Sequence, residues 1–285
     1  MNLLRLSLIA LAASSLSIPA GQAQETATTE PVGFVTVGIT AGSGSTKKNT
    51  LFSLPLLETE TITGQVAGTI TGLTANTISN ANAEWGLGDL SSPATPYLIQ
   101  ITKGAAEGRM FLISSSASTG GAIAGAANTA SQVTVSSLDS TQVDLTTLGI
   151  AVGEDTYKIF ACDTLSSFFG TPATTGVQGG ASTANADTII AVVNGSSATY
   201  FYSTTNNRWS RVALGSPDAS NVPLLPYYGI QYARLANAPL SFVVTGAVPT
   251  IGRQVAIKNS GPTLLAQYWP ADSTLGSLGL QSLAG

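Results

Sequence analysis

The sequence predicts an all-β fold: antiparallel sheets in a sandwich or barrel-like arrangement, with a few short helical turns. Three observations carry this. Short runs rich in β-branched and aromatic residues recur along the chain, and turn residues separate them at the spacing of a sandwich or barrel. Almost no stretch has the period of about 3.6 residues that marks a helix. The composition of the 285 residues, 44% hydrophobic and only 9% charged, is the reverse of what disorder requires, and the chain is long enough to build a real core.

Residues 1–23 read as an export signal. Arg5 gives the positive start, "LSLIALAASSLSI" the apolar stretch, and small residues at Gly21 and Ala23 suit cleavage after Ala23. That apolar run falls short of the roughly 18 to 20 residues of a membrane span, and no later segment is long and apolar enough. The expected location is therefore exported: extracellular, at the cell surface or periplasmic, with no membrane span after cleavage. Residues 24–285 form the exported β-rich region. The net charge of −4 becomes more acidic once Arg5 is removed, which makes nucleic acid a poor electrostatic partner.

The first strand expected is "GFVTVGIT", in which Val35, Val37 and Ile39 share one face and Phe34 and Thr36 the other. "TITGQVAGTITGLT", "YLIQIT", "GRMFLIS", "QVTVSS", "TYKIFA", "LSFVVTG" and "RQVAIK" follow, with "KGAAEGR" as a hairpin connection. Lys47 and Lys48 read as solubilising residues of a turn. "ADTIIAVVNGSSATYFYSTTNNRW" predicts a three-stranded meander. Asn194-Gly195 supplies a type I′ turn there, and Ser196 and Ser197 lengthen the loop. Tyr200 and Tyr202 fall on one face and Phe201 on the other.

Two helical turns are expected, "CDTLSSFFG" with Asp163 as N-cap and Gly170 as stop, and "ADSTLGSLGL" led by Asp272. Two stretches rich in small and polar residues, 114–131 and 170–187, read as solvated connections, the first as a possible division between two β subdomains. Cys162 follows "YKIFA" and reads as a buried small hydrophobe.

The order of "EPVGFVTV", "PYLIQITKGAAEGRMFLI", "DTYKIFACDTLSSFFG", the Asn194 meander, "LSFVVTGAVPT" and "DSTLGSLGL" resembles a large paralogous family of exported proteins in Verrucomicrobia. The resemblance spans most of the mature chain. It implies an exported β-rich protein and transfers no catalytic residues.

Histidine is absent and cysteine occurs once. Histidine-dependent triads, histidine zinc sites, thiolate zinc and iron–sulfur centres therefore have no ligand set, and no cofactor or metal is expected. A pair of carboxylates suffices for glycan hydrolysis. Glu84, Asp89, Glu107, Glu154, Asp155 and Asp187 are the candidates, with nothing to distinguish them. The aromatic residues Tyr200, Tyr202, Trp209 and Trp269 are candidate sugar-binding positions, although large aromatics equally anchor sandwich cores.

The leading expectation is a non-catalytic surface or extracellular structural protein that assembles with copies of itself or with another surface protein. Scarce charge weakens the usual defence of sheet edges, and the start "ETATTEPVGFVTVGIT" is suited to adding as a strand to a neighbouring sheet. The alternatives are a carbohydrate-binding module recognising polysaccharide and, at lower weight, a glycan-active enzyme.

Overall fold

Alternation of apolar and small polar residues makes Val32–Ile39 a strand, β1, whose odd-numbered side chains turn inward and whose even-numbered ones are exposed. β1 opens the computed structural model, which describes residues 31–255 and 265, apart from 59–61, 87–88, 92–94, 115–127, 139–141, 194 and 227. The expected signal (residues 1–23), the Asp272 helical turn and Trp269 lie outside the described residues.

After β1 come β2 (Lys48–Phe52), β3 (Ala67–Thr69), β4 (Gly72–Leu73), β5 (Thr77–Ser79), β6 (Tyr97–Ile101), β7 (Met110–Ile113) and β8 (Gln132–Ser137). Next are β9 (Thr156–Ala161), the short helices α1 (Leu165–Phe169) and α2 (Pro172–Thr175), then β10 (Thr188–Val193) and β11 (Ser196–Ser203). β12 (Arg208–Arg211), β13 (Ile230–Arg234) and β14 (Leu240–Ala247) complete the described elements.

These strands form three antiparallel arrays. A seven-stranded half-barrel has the order β3-β9-β6-β7-β8-β5-β4, a five-stranded sheet the order β12-β11-β10-β13-β2, and β1 with β14 makes a two-stranded ribbon. The fold is all-β, as the strand-dense sequence requires.

The half-barrel has its own core, and the ribbon and the five-stranded sheet share another. The half-barrel encloses Ile70, Ile99, Phe111, Val133 and Tyr157 around Trp85. The ribbon and the five-stranded sheet enclose a second core that holds Val37, Phe242 and Val244 from the ribbon, Ile189, Tyr200, Trp209 and Tyr232 from the sheet, and Leu165 and Phe169 from α1. Phe169 lies between them, with its ring centroid 5.2 to 5.7 Å from those of Phe242, Trp209 and Tyr232. A third cluster (Leu57, Leu98, Met110, Phe160, Leu225, Tyr228) joins the back of the half-barrel to the segment after β12. β6 is therefore buried along its whole length, as a strand covered on both faces must be.

Several local expectations need correction. The strands flanking residues 114–131, β7 and β8, are hydrogen-bonded neighbours in one sheet, and residues 115–127 lie outside the described residues. The cores change over near Leu57 and Cys162. Ser196 and Ser197 belong to β11, paired with Val193 and Val192, so the connection is shorter than expected. Gly195 has the positive φ, +65°, that the tight turn needs, while Asn194 lies outside the described residues. Thr164, not Asp163, caps α1, because its hydroxyl accepts from the Ser167 N–H at 3.0 Å. Asp163 instead accepts from the Ser167 hydroxyl. Stretch 170–187 is not simply solvated: it holds α2 and buries Val177, Ala186 and Asp187. Lys48 starts β2, and the Lys47 ammonium is tied to the Thr183 carbonyl (2.7 Å) and the Thr188 hydroxyl (3.1 Å). Of "RQVAIK", the described residues Arg253 to Val255 are not strand.

Candidate functional site

The aromatic candidates separate by depth. Trp209 is 1% exposed and Tyr200 is buried beside it. The Trp209 indole N–H donates to the Gly170 carbonyl at 2.8 Å. Both rings belong to the core between the ribbon and the five-stranded sheet. Tyr202 is half-buried and meets the Trp209 ring edge-on at 5.8 Å. Trp85 is buried in the half-barrel with its N–H on the Gln65 carbonyl. The described Trp rings thus have their polar edges satisfied inside the protein, with no open face on which a sugar could stack.

The acidic candidates are likewise dispersed. Glu84, Glu107 and Glu154 are exposed. Asp89 accepts from the Thr63 N–H, which holds its carboxyl below the usual range. Asp155 is buried and accepts from the Ala151 N–H at 3.0 Å. Asp187 forms the deepest polar knot. Its carboxylate accepts from Arg234 (2.5 Å), the Tyr232 hydroxyl (2.7 Å), and the N–H groups of Gln178 (2.8 Å) and Leu235 (2.7 Å). Burial, with the Asp187 charge adding to it, pushes the Tyr232 hydroxyl far up. Three of these donors converge on one carboxylate oxygen and the Leu235 N–H takes the other, so Asp187 ties β10 to β13 as a structural charge. Sequence reasoning named Asp187 but missed Arg234, 47 residues away. Among the described residues, no three His, Cys, Asp or Glu side chains gather as a metal set.

Cys162 is buried, with its thiol on the Leu224 carbonyl. Burial, reinforced by the nearby Asp163 and Glu58 charges, raises its pKa, so the nucleophilic thiolate is disfavoured.

The surface feature that remains is the β1–β14 ribbon. In an antiparallel pair, residues alternate between bonding the partner strand and pointing their N–H and C=O away from it. Two contacts fix the phase here. The Val248 N–H donates to the Pro31 carbonyl at 2.8 Å, while Ala247 exchanges bonds with Leu57 on the far side of β14. It follows that Gly33, Val35, Val37 and Ile39 bond across to β14 in the observed register. Val32, Phe34, Thr36 and Gly38 then direct their backbone groups outward. Among the described residues, none of those outward groups has a hydrogen-bond partner. The next outward group, the Thr40 N–H, is closed off by the Thr50 hydroxyl at 3.1 Å.

The same outward positions carry exposed side chains. Val32 is 71% and Phe34 75% exposed, and on β14 Val243 is 57% exposed. Phe34 faces Thr245 across the ribbon, with Val243 on the diagonal. Neither strand, "VGFVTVGI" or "LSFVVTGA", contains a charged residue. The expected donor strand is therefore paired within its own chain from Val32 onward, and its open feature is its outer edge.

Among the described residues, no helix is long and apolar enough to cross a membrane. Comparison of the chain with family models, curated proteins and solved structures finds no match.

Proposed function

We propose that this chain is an exported, non-catalytic structural or interaction protein of the cell surface or extracellular space, and that the outer edge of β1 is its docking element. One observation carries the reading: an uncharged eight-residue strand presents backbone groups unpaired among the described residues, together with exposed Val32 and Phe34. Soluble proteins normally protect such edges with charge, proline, shortness or cover. An apolar edge lacking all four fits a surface that is covered when the protein works.

Removing residues 24–40 would test this poorly, because Val37 and Ile39 belong to the core. Phe34→Lys with Thr36→Lys places charge on the open edge and leaves the inward face intact. In cells producing the protein, the doubly substituted chain is expected in the released fraction and the parent chain in the surface-associated or assembled fraction. Equal distribution of the two would refute the docking role.

A further inference from the structure

We infer that the occupant of the β1 edge is the β1 edge of a second copy, paired antiparallel about a two-fold axis through Val35. This rests on the docking role proposed above and names its partner.

Three features argue for self-pairing. The first is charge. Two copies of an acidic protein, net −4, repel over most approaches, but the ribbon has no charged side chain on either strand. This edge lets them meet without placing like charges in contact. The second is phase. The unpaired positions Val32, Phe34, Thr36 and Gly38 are symmetric about residue 35, so a two-fold there sets Phe34 opposite Thr36 and Val32 opposite Gly38 of the other copy. Each is an outward residue facing an outward residue, and the pairing forms about eight inter-chain backbone bonds. A shift of the axis to residue 36 brings in Thr40, whose N–H is already held by Thr50, and loses bonds.

The third feature is the side-chain match. Val35 meets its symmetry mate on the inner face, a β-branched pair suited to a sheet. On the outer face the two Phe34 positions are diagonal neighbours, with backbones about 7 to 8 Å apart and aromatic side chains long enough to meet. Each is diagonal in turn to its own Val243. The product is a continuous β14-β1-β1-β14 sheet with an apolar stripe across it. An isologous contact of this kind closes on itself. One strand edge is a small interface beside the roughly 1,200 to 2,000 Å² of stable complexes, so the association should depend on concentration.

The test uses the whole protein, purified from an exporting host. Light scattering over a concentration series should show the mass rising about two-fold. Thr36→Pro removes an N–H that points away from β14, so the ribbon stays paired while the edge is blocked. That variant should stay at monomer mass with unchanged circular dichroism and melting. Val35→Cys places two thiols at a non-bonded pair with Cα atoms about 4.5 Å apart, within disulfide range. It should run at twice the monomer mass after mild oxidation, whereas the parent, with only buried Cys162, should not. A monomeric parent at every concentration overturns the inference, as does a Thr36→Pro variant that still dimerises or a Val35→Cys variant that does not cross-link. Surface retention of Thr36→Pro, measured in parallel, separates the two ideas. Lost retention with a monomeric parent keeps the docking edge and overturns the second copy. Unchanged retention with a dimeric, cross-linking parent supports the second copy and counts against the surface role.

Discussion

The half-barrel and the ribbon solve the edge problem in opposite ways. The half-barrel ends in strands of three and two residues, β3 and β4, too short to template a partner. The five-stranded sheet covers β12 with the turn at 217–219, whose Ala219 N–H and Pro217 carbonyl take the outer groups of Trp209 and Arg211. Its other edge, β2, begins with Lys48. The ribbon has two eight-residue strands, no charge and, among the described residues, no cover over Val32 to Gly38. Among the described residues, the chain thus protects four sheet margins and leaves the ribbon open, along β1 from Val32 to Gly38 and on β14 at Ser241, Val243 and Thr245. The difference points to use of the ribbon, since the means to close it were available in the same sequence.

The largest effect that would break this comparison lies behind the five-stranded sheet. Asp187→Ala leaves Arg234 buried without its counter-charge and should cost about 3 to 5 kcal/mol, measured by urea unfolding. The half-barrel's counterpart is neutral: the Asn80 amide donates to the Tyr157 hydroxyl at 2.9 Å. Tyr157→Phe should cost only about 1 kcal/mol in the same assay. If the two variants prove equally costly, the charged knot is not what distinguishes the two halves.

A pair of proline substitutions sharpens the edge argument. Val37→Pro removes an N–H bonded to β14 and should destabilise by on the order of 2 kcal/mol. Thr36→Pro, one residue away, should change stability by less than about 0.5 kcal/mol. Similar losses for both would mean that the phase of the ribbon is misassigned. Amide hydrogen exchange in dilute protein gives a finer view. Gly33, Val35, Val37 and Ile39 should be protected and Phe34, Thr36 and Gly38 fast, and the alternation should fade as concentration rises.

The smallest effect is electrostatic. Burial raises the Asp163 carboxyl above its ordinary value, partly opposed by the Ser167 hydroxyl. The folded state therefore binds the proton more tightly than the unfolded state. Stability falls as pH rises from the unfolded value through the raised one and stays reduced above it. Asp163→Asn should flatten that part of the stability–pH curve, provided its amide still meets Ser167.

What the sequence made legible was local. The faces of β1 were readable because Val35, Val37 and Ile39 alternate with Phe34 and Thr36. The meander was readable from two β-favouring runs around a turn dipeptide. Strand β2 hides in "KNTLF", β5 spans only three residues, and β13 ends in Arg234; none displays an apolar alternation to detect. Asp163 looked like the cap because it precedes an apolar turn, but Thr164 stands at the position from which a hydroxyl reaches the N–H three residues on. The pairing of β1 with β14, and with it the identity of the open edge, depends on contacts between distant parts of the chain that no local pattern encodes.

The ribbon joins segments roughly 200 residues apart, a closure that costs chain entropy before any contact repays it. During synthesis from the N-terminus, β1 emerges long before the strand it needs. Until β14 arrives, both of its margins are unsatisfied rather than one. Pro31 immediately precedes the segment most exposed to premature pairing, and the time spent in that half-made state sets how much chain is lost to aggregation before folding completes.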